Sequence, residues 1–247
     1  MGIFSGVYPD HQTTRPQAQS YDDARVVDRL AEIQARAAWD GSLHPLAQQM
    51  AAAFMAAIVR AGCPDRRIRV CDVGGGLGGS RNAMAGLLGG TIHLDWDIVE
   101  TPALARVGNE RFACPDIRFH DSLDALQDRE HDIIIASGVL QYLPDPAAVF
   151  ARLARHPHHH LVLNRFPVRH GPDGAQDDIC TIQDLAALLP GVSVPHWCFS
   201  RPLWQCLIER SHTCVAHWTD DFDGRHPLPD GSEVSFVGML LSRGIGQ

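Results

Sequence analysis

The residues best equipped for chemistry stand together in the run Val70 to Gly79, VCDVGGGLGG in one-letter code. A β-branched stretch ends in a carboxylate, Asp72, and opens into a glycine loop ahead of a helix-forming segment. Glycine adopts positive φ and lets a ligand touch the backbone. The helix start beyond it offers free N–H groups and partial positive charge, which suits an anion.

Two ligand classes use such a loop. Gly74, Gly76 and Gly79 satisfy the dinucleotide spacing G-x-G-x-x-G, whereas Gly74, Gly76 and Gly78 satisfy the D-x-G-x-G-x-G loop of S-adenosylmethionine (SAM) enzymes. Glycines alone do not decide between them. Asp72 favours the second class, because a carboxylate repels a pyrophosphate and suits ammonium and sulfonium charges. Its plainer role is to bond the loop amides. Glu100 ends the next strand and can accept from both ribose hydroxyls of an adenosine ligand, or simply cap the helix that starts near Pro102. Asp121 and Ser122 follow the third strand, placed either beside an adenine ring or at a helix N-cap. Ser137, Gln141 and Tyr142 follow the fourth strand, at the carboxyl edge of the sheet.

Taken in order, DVGGGLG (72–78), IVE (98–100), FHDS (119–122) and DIIIASGVLQYLPDP (132–146) resemble the motifs of class I SAM-dependent methyltransferases. The resemblance covers about residues 66–242. The segments FSGVY (4–8), WDIVETP (96–102) and LNRFP (163–167) are similar to a bacterial group of small-molecule methyltransferases. It implies a Rossmann-like α/β fold with a seven-stranded, mostly parallel sheet, helices on both faces and an antiparallel last hairpin. It also implies SAM as cofactor, S-adenosylhomocysteine (SAH) as product, and a cofactor site formed by Asp72, Gly74, Gly75, Gly76, Glu100, Thr101, Asp121, Ser122, Ser137 and Gly138.

A methyl on sulfonium is already activated, so the protein must mainly align the acceptor and exclude water. An oxygen or nitrogen acceptor also loses a proton, and histidine is the usual base near neutral pH. Among fourteen histidines, His170 after the fifth strand and His196 beside Trp197 and Phe199 are the candidates, with Tyr142 as a third catalytic group. Plain surface or loop positions are the alternative for both histidines. Tyr8, Tyr21, Gln141, Arg165, Gln183 and Trp197 are candidate acceptor contacts. The tract His156 to His160 lacks a paired cysteine or carboxylate at ligand spacing, so no metal site is expected.

These residues need a scaffold. Residues 1–22 read as an irregular leader. Apolar positions Val26, Val27, Leu30, Ile33 and Ala37 predict a helix from 23 to about 38, and Leu46, Met50, Phe54, Met55 and Ile58 a second over 44–61. We read 1–64 as a helical lid or extension, with Tyr8 and Tyr21 able to close over the crevice. The wide apolar stripe of the second helix is more simply core packing. From 65 to 247, strands at 68–73, 93–99, 117–120, 132–136 and 160–164 alternate with helices at 80–88, 102–110, 146–155 and 182–189, which predicts parallel βαβ units. Two late runs, 213–219 and 234–242, read as an antiparallel pair.

Composition excludes other classes. The 247 residues carry a net charge of −8, against a nucleic-acid binder. All 21 basic residues are arginine, so there is no Schiff-base lysine and no P-loop lysine. Seven cysteines without a C-x-x-C suggest neither a zinc ribbon nor a disulfide framework. No signal-peptide pattern or membrane-length apolar run is seen. A cytoplasmic enzyme acting on a small molecule is expected, as monomer or homodimer. The alternatives are a SAM cyclase releasing methylthioadenosine, an NAD(P) oxidoreductase, and a non-catalytic binding protein on the same fold.

Overall fold

In a computed structural model, residues 2–14, 17–37, 40–62, 64–171 and 176–243 are described. The end of the first expected helix at Ala38, and Cys63, lie outside them. Five strands run parallel in the order β4-β3-β2-β5-β6: β2 (Arg67–Val73), β3 (His93–Val99), β4 (Ile117–His120), β5 (Ile133–Ser137) and β6 (His160–His170). Beyond β6 the hairpin of β9 (His212–Pro227) and β10 (Glu233–Arg243) adds the expected antiparallel pair, with β10 against β6 and β9 outermost.

Alternation along the strands sorts side chains to two faces. Ile68 and Val70 of β2 join one core with Met50, Phe54 and Ile58 of α3 (Pro45–Ala61), Val27 of α2 (Ala24–Arg36), Met84 of α4 (Gly79–Leu88) and Leu104 of α5 (Pro102–Arg111). Cys71 and Val73 join the other, with Phe150 of α6 (Pro146–Arg155) and Trp204 of α7 (Arg201–Glu209). Phe54 packs 5.6 Å from the Trp96 ring, so α3 is part of the core of the sheet.

Three sequence expectations are corrected. Among the described residues the sheet has ten strands, not seven. The leader is not irregular: β1 (Phe4–Tyr8) pairs with β7 (Ile179–Asp184), and a single helical turn, α1 (His11–Thr14), follows. Phe4 is held there among Cys198, Leu228, Val234 and Phe236. The segment 182–189 is not a helix. Its first residues belong to β7, which is hydrogen-bonded on both sides, by β1 and by β8 (Ser193–Ser200). Short apolar runs carry no decisive period, so strand pairing overrides the helical spacing.

The β1-β7-β8 group joins the main sheet through β6. That strand pairs with β5 over residues 160–164 and with β8 at Val168 and Arg169. At the break between the two partners stands Arg165, whose φ is +54°.

Candidate functional site

The order of the strands reverses between β2 and β5, where open α/β sheets place their ligands. At that point lies a cavity of about 290 Å³ lined by Asp72, Gly74 to Leu77, Gly79, Ser80, Ser137 and Arg165. Leu30, Ile33 and Gln34 of α2 and Ala47 and Met50 of α3 form the opposite wall. No local pattern points to a site contact for these five, although the spacing of Leu30 and Ile33 marks one helix face.

The glycine loop is shaped by its surroundings. A Cβ on Gly74, at φ +71°, would meet Val139 at 2.5 Å, and one on Gly75 would meet the Asp72 carboxylate at 2.5 Å. The backbone therefore lies directly over the acid. No side chain caps α4, which leaves its first amides to a ligand.

Asp72 is buried and faces the α3–α4 side of the sheet. Trp96 Nε1 donates to its Oδ2 at 3.2 Å, and it has no ion-pair partner among the described residues. Burial pushes its carboxyl up to about 7, with Trp96 opposing and the neighbouring Glu100 adding to the rise. Glu100 is also raised by burial, and it accepts from Gly76 N and Thr101 N, both at 2.9 Å. It thus ties the loop to the next strand. Thr101 opens α5, with its hydroxyl buried and unpaired.

Ser137 lines the cavity and receives Asn164 Nδ2 at 3.2 Å, while Trp218 Nε1 donates to Asn164 Oδ1 at 3.1 Å. Gly138, at φ +62°, lies against Arg165. Asp121 is exposed, and Ser122 accepts from Asp124 N as the N-cap of a short turn. The capping role anticipated for this pair falls to Ser122.

Several of the residues expected as acceptor contacts lie around Arg165. Its Nε and Nη2 donate to Asp223 at 2.6 and 3.0 Å. Burial works against this charge, but the Asp223 contact outweighs it and keeps the guanidinium protonated. Gln141 Nε2 donates to the Arg165 carbonyl at 3.3 Å. Tyr142 donates to Gln183 Oε1 at 2.9 Å, and the Tyr21 ring lies 5.0 Å from it. Burial raises both phenols, so they remain neutral. Trp197 Nε1 donates to the Leu143 carbonyl at 3.1 Å. Asp223 had no sequence signal, because its partner is 58 residues away.

The structure does not bring His170, His196 or Tyr8 to this cavity. His196 is sealed, with no exposure, between Phe4 and Tyr142 at 4.9 and 5.4 Å, and its Nε2 is unpartnered. Burial first, then Arg165, lowers its pKa to about 3. His170 lies at the far end of β6, bonded to Ser235 Oγ at 2.7 Å. Tyr8 donates to Gln17 on the outer side of the leader. In the histidine tract, His156 pairs with His131 and His158 with His212. No described helix is long and apolar enough to cross a membrane.

The sequence matches no known family profile and no curated protein. The fold is similar to solved structures. The N-terminal domain of EvdMO1 with SAH bound has a TM-score of 0.56 at 15% identity, covering 92% of this chain and 98% of that one. Magnesium protoporphyrin IX methyltransferase (ChlM) from Synechocystis PCC 6803 with bound SAM has a TM-score of 0.54 at 14% identity, covering 97% and 100%. At this identity the likeness establishes the Rossmann-like architecture, with its antiparallel last hairpin.

Proposed function

We propose that this protein is a SAM-dependent methyltransferase acting on a small molecule. One observation carries the reading: Asp72 is a buried carboxylate without a cationic partner among the described residues, set beneath a glycine loop at an open helix start. A diphosphate there would face a second negative charge. An amino acid's ammonium would restore the missing positive charge, and its carboxylate would meet the amides of α4. The likeness to SAH- and SAM-bound structures supports the same ligand.

The residues present fit that cofactor. Asp72 would hold the ammonium, the loop 74–79 the carboxylate, and Glu100 the ribose hydroxyls. When bound, SAM supplies an activated methyl on a sulfonium. Gly74 and Ser137 would border the reacting end. Leu30, Ile33 and Met50 would exclude water, so segment 1–64 acts as the lid side of the site. Tyr21, Tyr142, Gln183 and Arg165 would orient the acceptor.

Titration calorimetry with SAH, and separately with NADH and NADPH, tests the reading. Binding of SAH alone is expected. Binding of a dinucleotide without SAH would overturn it.

A further inference from the structure

The acceptor side contains a formal cation with a free edge and, among the described residues, no uncommitted base. Arg165 occupies the break where β6 exchanges β5 for β8, in the left-handed region. A non-glycine residue holds such a conformation only when its surroundings enforce it. Here Gln141 holds its carbonyl and Asp223 its Nε and Nη2. Asp223 is itself fixed in the bulge of β9 between Asp220 and Arg225, where its N–H donates to Asp220 at 3.2 Å.

The guanidinium is therefore locked in plane and in place. One edge is occupied by Asp223. The third nitrogen, Nη1, has no protein acceptor among the described residues and lies against Gly138, where an added Cβ would stand 3.1 Å away. The same side chain lines the cavity beside Asp72 and Ser137. A guanidinium held in this way presents its remaining edge as a fork for a second oxyanion.

No histidine is among the residues lining the cavity. The nearby phenols of Tyr21 and Tyr142 are neutral, so they donate rather than take up a proton. An alcohol or an ammonium acceptor would need a base, and the carboxylates here are already engaged, Asp223 by Arg165, Glu100 by the Gly76 and Thr101 amides, and Asp72, on the reading above, by the cofactor ammonium. An acid that is already ionised needs none.

We propose that the acceptor is an acid of the carboxylate class, whose ionised oxygen docks on the free edge of Arg165. This rests on the methyltransferase reading above. Transfer to that oxygen forms a C–O bond as the S–CH₃ bond breaks. The electron pair stays on sulfur, no proton moves, and an anion and a cation become two neutral groups.

The test is thermal unfolding of the SAH-saturated full chain, titrated at constant ionic strength with benzoate and acetate and, in parallel, with benzamide and acetamide. At least one carboxylate should raise the midpoint, by about 3 °C at ten times its dissociation constant, and the amides should not. The double variant Arg165→Gln/Asp223→Asn removes the ion pair without stranding a charge. It should keep the SAH-induced rise and lose the carboxylate effect. Equal effects of acid and amide, no carboxylate effect, or a carboxylate effect that survives in the double variant each overturn the proposal. A wild-type chain that fails to bind SAH refutes the cofactor reading instead.

Discussion

Replacing Asp72 by asparagine should stabilise the free protein while abolishing most of its affinity for cofactor. Asparagine keeps the shape and still accepts from Trp96 Nε1. The wild-type carboxyl is raised from the usual 3.8 to about 7, chiefly by burial. Between those values the native state holds a proton that the unfolded chain has released. Native stability therefore falls as pH rises from about 4 to 7 and stays low above that. One unit corresponds to about 1.4 kcal/mol, so the whole shift is worth at most about 4 kcal/mol. Relaxation around the carboxylate reduces this, and we expect about 1–2 kcal/mol, or about 2–8 °C in midpoint for a chain of this length.

The gain for Asp72→Asn should be present at pH 8 and small at pH 5. Losing a charge-assisted bond to the cofactor ammonium costs about 1.5–3 kcal/mol, a fall in SAH affinity of about ten- to a hundredfold. In the wild type, SAH affinity should decline below pH 7, by up to about tenfold per unit, because binding requires the ionised carboxyl. Unfolding midpoints at pH 5 and 8 and calorimetry with SAH read out both effects. A variant that is less stable at pH 8 and binds SAH like the wild type would refute the assignment of Asp72.

Glu100→Ala removes the acceptor for Gly76 N and Thr101 N, and SAH affinity by calorimetry should drop at least about tenfold, as for a lost charged hydrogen bond. Gly75→Ala places a methyl 2.5 Å from the Asp72 carboxylate. It should cost about 1–3 kcal/mol in chemical denaturation and weaken SAH as well, and unchanged values would show that the loop is not held as described. His196→Phe should alter acid stability: the native state refuses a proton until about pH 3, whereas the unfolded chain takes one near 6.5. Wild-type stability therefore falls below pH 6.5, by about 2 kcal/mol at pH 5. The phenylalanine variant should lack that slope in midpoints measured from pH 7 to 4.

The side of the cavity proposed to hold the cofactor was legible as a cluster because it is local. Asp72, the glycines and the start of α4 follow one another in the chain, and alternation along β2 sends Asp72 to the same face as Val70. Glu100 follows by the same rule one strand later. The side proposed to take the acceptor is assembled from Tyr21, Tyr142, Arg165, Gln183 and Asp223, which lie far apart in the chain. Neither composition nor period links Arg165 to Asp223.

Reading the end of β6 at 164 put His170 at the crevice edge. The strand instead runs to His170, six residues on, which at about 3.3 Å per residue carries it on the order of 20 Å along the strand. The sequence sets His196 beside Trp197 and Phe199 as a candidate base, but the β7–β8 pairing, which includes residues 182–184 expected to be helical, buries it. Both histidine assignments thus trace to the β1-β7-β8 group, whose strands are short and whose order is set by pairing with a distant leader. Between the β5 and β8 pairings of β6, position 165 carries a side chain that reaches both Asp223 and Gly138.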